Sequence, residues 1–155
     1  HEIVLNLQAD EPLLDMHQID QLVATLEENP EWDLATLAFW EKNPRLLSDP
    51  HIVKCVVTPE MKALYFSRQA LKSDSDGRFL KHIGIYGYRK ESLLKLAEFP
   101  PSQLELTEKL EQLRALENGF SIGVAIIDKD LVSVDVPSDI EKVESILREN
   151  AKVIS

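Results

Sequence analysis

The sequence predicts an α/β domain with a mixed, mainly parallel sheet. Short apolar runs alternate with amphipathic stretches at helical spacing, and Pro, Asn or Gly punctuates the changes. The chain of 155 residues is long enough for one real core and too short for two comfortable ones. An antiparallel excursion is expected around residues 61–88.

Ile3 to Leu7 is a run of mainly branched apolar residues and reads as a buried strand. Pro12 has no N–H for a ladder, so the chain leaves the sheet there, with Asp10 and Glu11 at the strand's carboxyl end. In open α/β sheets ligands bind at that edge; a solvated turn is the other reading of the same two acids. Asp15 to Gln18 has the form of a capping box, and Ile19, Leu22, Val23 and Leu26 follow at helical spacing, with His17 and Asp20 on or near the exposed side. Asn29-Pro30 ends that helix.

Strands are predicted over Leu34–Trp40 and Ile52–Val57, joined by a polar connection between Asn43-Pro44 and Asp49-Pro50. Met61 to Arg68 reads as another strand, whose terminal Arg68 either holds an anion or covers apolar surface with its stem. Lys72 to Lys81 is a polar loop. Its Ser73-Asp74-Ser75-Asp76-Gly77 core resembles half of a calcium loop, but Ile85 stands where the closing Glu is required. His82 to Arg89 is a strand with two glycines, and its alternation puts His82, Gly84, Tyr86 and Tyr88 on one face. A packed Tyr and a hydrogen-bonded His explain that face as well as a ligand site does.

A short helix from Glu91 to Glu98 stops before Pro100-Pro101. Ser102 to Glu105 is a second capping box, opening a helix that runs to Asn118-Gly119. Leu106, Leu110, Leu113 and Leu116 form its buried stripe, with Glu108, Glu111 and Gln112 as a polar patch beside it. Strands follow over Gly119–Ile127 and Leu131–Val134, so Asp135 is a second carboxylate at a strand end. Pro137 suits the first turn of a last helix that turns Ile140, Val143 and Leu147 inward.

Composition excludes two classes of partner. A formal charge of −10 opposes a nucleic-acid backbone, which requires clustered Lys and Arg. No run approaches the ~20 apolar residues of a membrane span, and no signal-peptide pattern opens the chain, so a cytoplasmic location is expected. The single Cys55, inside an apolar run, is expected to be buried and reduced.

Five blocks occur in an order and spacing that resemble the 3-deoxy-manno-octulosonate (KDO) cytidylyltransferases, or CMP-KDO synthetases. They are Gln8-Ala9-Asp10-Glu11-Pro12, Ala63-Leu64-Tyr65-Phe66-Ser67-Arg68, His82-Ile83-Gly84-Ile85-Tyr86, Leu110-Glu111-Gln112-Leu113-Arg114 and Val134-Asp135-Val136-Pro137-Ser138-Asp139. The resemblance covers nearly all of the chain and looks like roughly the carboxyl-terminal two thirds of such an enzyme. It implies a nucleotide-diphospho-sugar transferase (Rossmann-like) fold over residues 1–155, a single partial domain without the amino-terminal nucleotide-binding part. It also implies a homodimer, with a dimerisation segment around 61–88.

The activity implied is transfer of a cytidylyl group from CTP to KDO, with release of pyrophosphate, for lipopolysaccharide synthesis. Asp10 and Asp135 match the catalytic magnesium ligands. Gln8, Arg68, His82, Tyr86, Glu111 and Gln112 match positions around the sugar pocket. The basic, glycine-containing loop that grips the CTP phosphates in the family has no counterpart in these residues, so the chain as it stands is expected not to bind CTP normally. Ala9 replaces the usual Gly, Gln69 follows Arg68 where Pro is usual, and Val136 replaces the usual Thr. Two other readings compete: a non-catalytic domain that binds an acidic sugar or only dimerises, and a nucleotidyltransferase for a related acidic sugar. An uncovered sheet edge predicts poor solubility of the isolated piece.

Overall fold

A computed structural model describes residues 2–7, 14–131, 140, 141, 143–146 and 148. In chain order the elements are β1 (Ile3–Asn6), α1 (Met16–Glu28), β2 (Leu34–Glu41), α2 (Pro44–Leu47), β3 (Lys54–Val57), β4 (Ala63–Ser67), β5 (Phe79–Arg89), α3 (Lys90–Ala97), α4 (Gln103–Glu108), α5 (Gln112–Glu117) and β6 (Ile122–Ile126). Residues 140, 141, 143–146 and 148 are also helical.

The six strands among the described residues join one sheet in the order β4-β3-β5-β2-β6, with β1 also paired to β5. Among the described residues only the β2–β6 pairing is parallel, so the expected mainly parallel sheet is corrected to a mainly antiparallel one. Parallel neighbours need a long crossover, usually a helix. Here β3 and β4 are joined by five residues, and β4 reaches β5 through a loop rather than a helix. The antiparallel excursion expected around 61–88 is present and extends well beyond that segment.

Alternation along the strands sends side chains to two cores. Ala35, Leu37, Ile83, Ile85 and Ala125 pack with Leu22 and Leu26 of α1. Leu34, Ala38, Leu80, Tyr86, Ile122 and Val124 pack on the other face with Leu110, Leu113 and Ala115 from the α4–α5 region. The sheet therefore lies between α1 and the later helices. Cys55 is buried in this second core as expected, and burial drives its thiol pKa far up, which leaves it inert.

The first capping box forms as read: Asp15 Oδ1 accepts from Gln18 N at 3.1 Å and Gln18 Oε1 accepts from Asp15 N at 3.0 Å. Ser102 and Glu105 form the second. The helix expected from it to Asn118 is instead broken, because Lys109 takes the left-handed conformation (φ 56°, ψ 47°) between α4 and α5. That turn changes the helical phase. Leu106 is 67% exposed, whereas Leu110 and Leu113 are buried, so the single apolar stripe is really two. The polar patch divides with it: Glu108 accepts from Ser67 Oγ (3.2 Å), while Gln112 is buried. In the last helix Val143 is buried as expected, but Ile140 is 47% exposed and does not turn inward. Leu147, and the strand read over Leu131–Val134 beyond its first residue, lie outside the described residues.

The central strand β5 positions the site. Along one side it pairs with β2; along the other, β3 pairs with Lys81 and Leu80 while β1 pairs with Tyr86 to Arg89. Between those two partners His82 N still donates to Val53 O at 2.8 Å, but Ile83, Gly84 and Ile85 face no described strand on that side. Against β2 the register jumps at the same place, from Thr36↔Tyr86 to Leu37↔Ile83, so Gly84 and Ile85 are inserted as a bulge. Bulges bend a strand and re-aim its side chains.

Candidate functional site

The gap beside β5 opens into a cavity of about 750 Å³. Its walls come from β1, the segment His51–Val53, Arg68 at the end of β4, the β5 face, one side of α3, and residues 109–112 with Arg114 and Ala115. That size is typical of a small-molecule site.

Five residues singled out from the sequence, Arg68, His82, Tyr86, Glu111 and Gln112, all line this cavity. They come from three separate parts of the chain. Gln8 and the carboxylates Asp10 and Asp135 lie outside the described residues. Among the described residues no group of three or more His, Cys, Asp or Glu side chains gathers as a metal would require.

The β5 face contributes an aromatic wall. His82 packs edge-on against Phe66 (4.9 Å between ring centroids) and lies 5.6 Å from Tyr86, which lies 5.9 Å from Tyr88. Burial holds the His82 pKa down to about 3, so the ring is neutral at physiological pH. Burial also raises the Tyr86 phenol well above its ordinary value, with Tyr88 and Glu111 adding to it. The Tyr88 phenol is pushed up to about 12, first by burial and then by Glu111. Both tyrosines therefore remain neutral donors.

The remaining wall is rich in cations. Among the described residues Arg68, Lys81, Lys109 and Arg114 line the cavity with a single carboxylate, Glu111, in a chain whose formal charge is −10. Two of these cations are already paired: Lys81 Nζ with Asp130 (2.7 and 2.9 Å), and Arg114 with Glu105 through its Nε (2.7 Å) and Nη2. Arg68 donates to the Pro50 carbonyl at 3.2 Å, and neither it nor Lys109 meets a carboxylate among the described residues. Arg68 is held from behind, since the buried Lys54 amine donates to the carbonyls of Asp49 (2.6 Å) and Arg68 (2.7 Å). The arrangement suits a polar, anionic ligand with an apolar face.

Lys81, Tyr88, Lys109 and Arg114 belong to the same wall, and the sequence reading did not select them. Tyr88 was legible, since it shares the even-numbered face with His82 and Tyr86. Arg114 and Lys109 were not, because the phase break that turns them to the cavity is itself unmarked by Gly or Asn.

The chain resembles known proteins in both sequence and structure. The model of the cytidylyltransferase family matches residues 1–131. The 3-deoxy-manno-octulosonate cytidylyltransferase of Geobacter sulfurreducens is 43% identical over 156 residues, covering 92% of this chain and 62% of that protein. That of Chlamydia trachomatis serovar L2 is 46% identical over 149 residues, covering 94% and 59%. A solved structure of CMP:2-keto-3-deoxy-manno-octonic acid synthetase complexed with CTP matches with a TM-score of 0.88 at 33% identity, over 96% of this chain and 63% of that one. The chain thus spans about six tenths of the length of the relatives it matches.

Proposed function

The chain belongs to the cytidylyltransferase family, and from that premise we propose that it forms the acidic-sugar side of an enzyme joining CTP to 3-deoxy-manno-octulosonate. The observation that carries this reading is the convergence of Arg68, His82, Tyr86, Glu111 and Gln112 on one cation-rich cavity. The relatives' names supply the sugar, and the cavity's charge is compatible with it.

In this reaction the sugar's anomeric hydroxyl attacks the α-phosphorus of CTP in line. A new O–P bond forms, the bond to pyrophosphate breaks, and the hydroxyl proton is released. No covalent enzyme intermediate is needed, so the protein's task is to hold two anions in the attacking geometry. The planar fork of Arg68 suits the sugar carboxylate through two parallel hydrogen bonds. Neutral His82, the Tyr86 phenol and Gln112 offer polar atoms to the sugar hydroxyls, and the Tyr86–Tyr88 rings cover its apolar face. Glu111, whose side chain is 81% exposed, accepts hydrogen bonds from sugar hydroxyls at the cavity mouth.

The described wall offers a divalent cation only Glu111, so magnesium depends on Asp10 and Asp135, a hard oxygen pair suited to that ion. Magnesium held there would supply Lewis-acid stabilisation of the phosphate and a template for the two substrates. The triphosphate and base of CTP would be bound largely by residues that the relatives have beyond the matched portion. We also assign the enzyme to the cytoplasm, to lipopolysaccharide synthesis and to a homodimer built around residues 61–88.

The test is pyrophosphate release by the complete protein from CTP, KDO and magnesium, with Arg68→Ala as the comparison. The expected result is KDO-dependent release, with KM for KDO raised roughly 10- to 100-fold in the variant and KM for CTP changed little. Absence of KDO-dependent release, or an equal rise in both KM values, would overturn the reading.

A further inference from the structure

Thr36 lies at the bulge of β2 against β5, fully buried, and is not one of the cavity-lining residues. Its Oγ1 has three polar neighbours: His82 Nε2 at 2.9 Å, Ile85 O at 2.8 Å and Ile83 O at 3.1 Å. The hydroxyl has one proton to give, and the two carbonyls can only accept. If that proton went to His82, both carbonyls would face the hydroxyl oxygen with no hydrogen between them, buried and away from water. If it goes to the carbonyls, the contact to the ring requires a proton on Nε2. In the second arrangement Nε2–H supplies the ring contact and the single hydroxyl proton is shared between the two carbonyls as a three-centre bond, so no contact lacks a hydrogen, and leaving buried acceptors unmet is costly.

We propose that Thr36 is a positioning residue: it fixes His82 as the Nε2–H tautomer, so that Nδ1 presents a lone pair to the cavity and accepts a hydrogen bond from a hydroxyl of the bound sugar. Among the described residues Nδ1 has no hydrogen-bond partner, and His82 lines the cavity. The bulge is part of the device. By inserting Gly84 and Ile85 into β5, it brings two carbonyls of one strand onto a single threonine of the next. The hydroxyl-accepting role rests on the proposed function above; the tautomer does not.

The test is a long-range proton–nitrogen spectrum of the complete protein labelled with ¹⁵N-histidine, with His82 assigned by substitution. It is taken for wild type, Thr36→Val and Thr36→Ser, alongside KM for KDO. Expected are a pyridine-like Nδ1 in wild type and Thr36→Ser, and a mixture of tautomers in Thr36→Val. KM for KDO should rise about tenfold in Thr36→Val, with kcat altered less than about twofold, and recover in Thr36→Ser. A protonated Nδ1 in wild type would overturn the proposal even if the valine variant does not fold. So would a valine variant that keeps the Nε2–H form, or one that changes tautomer without moving KM. If wild type shows no KDO-dependent turnover, the functional reading and the hydroxyl-accepting role fall together, while the spectrum still decides the tautomer.

Discussion

Protonating His82 means charging a ring packed between Phe66 and Tyr86, so the folded state resists it. The ring's pKa is held to about 3 in the fold, against about 6.5 in an unfolded chain. Between those values the unfolded state binds more protons, and stability rises with pH by up to about 1.4 kcal/mol per unit from this group. The contribution is whole above pH ~7 and is lost as pH falls from about 6.5 towards 3. Urea unfolding followed between about pH 5 and 7 for wild type beside a His82 variant isolates it, because carboxylates titrate lower and the other three histidines are common to both proteins. His82→Gln should flatten that slope by roughly 1 kcal/mol per pH unit; an unchanged slope would mean that the ring is not buried neutral. The position of His82 was legible in the sequence from its place on a glycine-containing strand face. Its link to Thr36 was not, since the two are 46 residues apart and meet only through a bulge that alternation does not reveal.

At the scale of elements, the junction between α4 and α5 trades stability for placement. Lys109 in the left-handed region costs about 1–2 kcal/mol relative to ordinary helical backbone, and it buys the turn that carries residues 109–112 and Arg114 to the cavity. Glycine adopts that conformation without the side-chain clash but loses more chain entropy, roughly 0.5–1 kcal/mol. Lys109→Gly should therefore gain about 1 kcal/mol in denaturant unfolding, while weakening the anionic sugar severalfold by removing a cavity cation. Loss of stability would show that the lysine side chain, not the backbone, matters there. The sequence marked both ends of this region through the Ser102 capping box and the Asn118-Gly119 stop. It concealed the middle, because Leu106, Leu110 and Leu113 satisfy a continuous helical stripe that only packing against the sheet divides in two.

For the whole molecule, periodicity identified the six described strands but not their neighbours, which explains why the sheet's direction was misread while those members were not. Pairing depends on which connections cross the sheet, and local pattern is silent on that. The same topology leaves β4 at the end of the strand order, where Leu64 is 57% exposed and Val56 on the adjoining β3 is 39% exposed. An outermost strand carrying exposed apolar side chains invites pairing with another chain unless charge or cover prevents it. That feature supports the proposed homodimer around residues 61–88, and it makes the oligomer sensitive to a single charge. Leu64→Asp in the complete protein should turn a dimer into a monomer in sedimentation velocity, shifting the dissociation constant by roughly two orders of magnitude. Because Arg68 stands at the end of the same strand, loss of the dimer should also raise KM for KDO. Because Leu64 lies outside the cavity lining, a variant that remains dimeric would place the contact elsewhere, and a monomeric variant with unchanged KM would separate assembly from the sugar site.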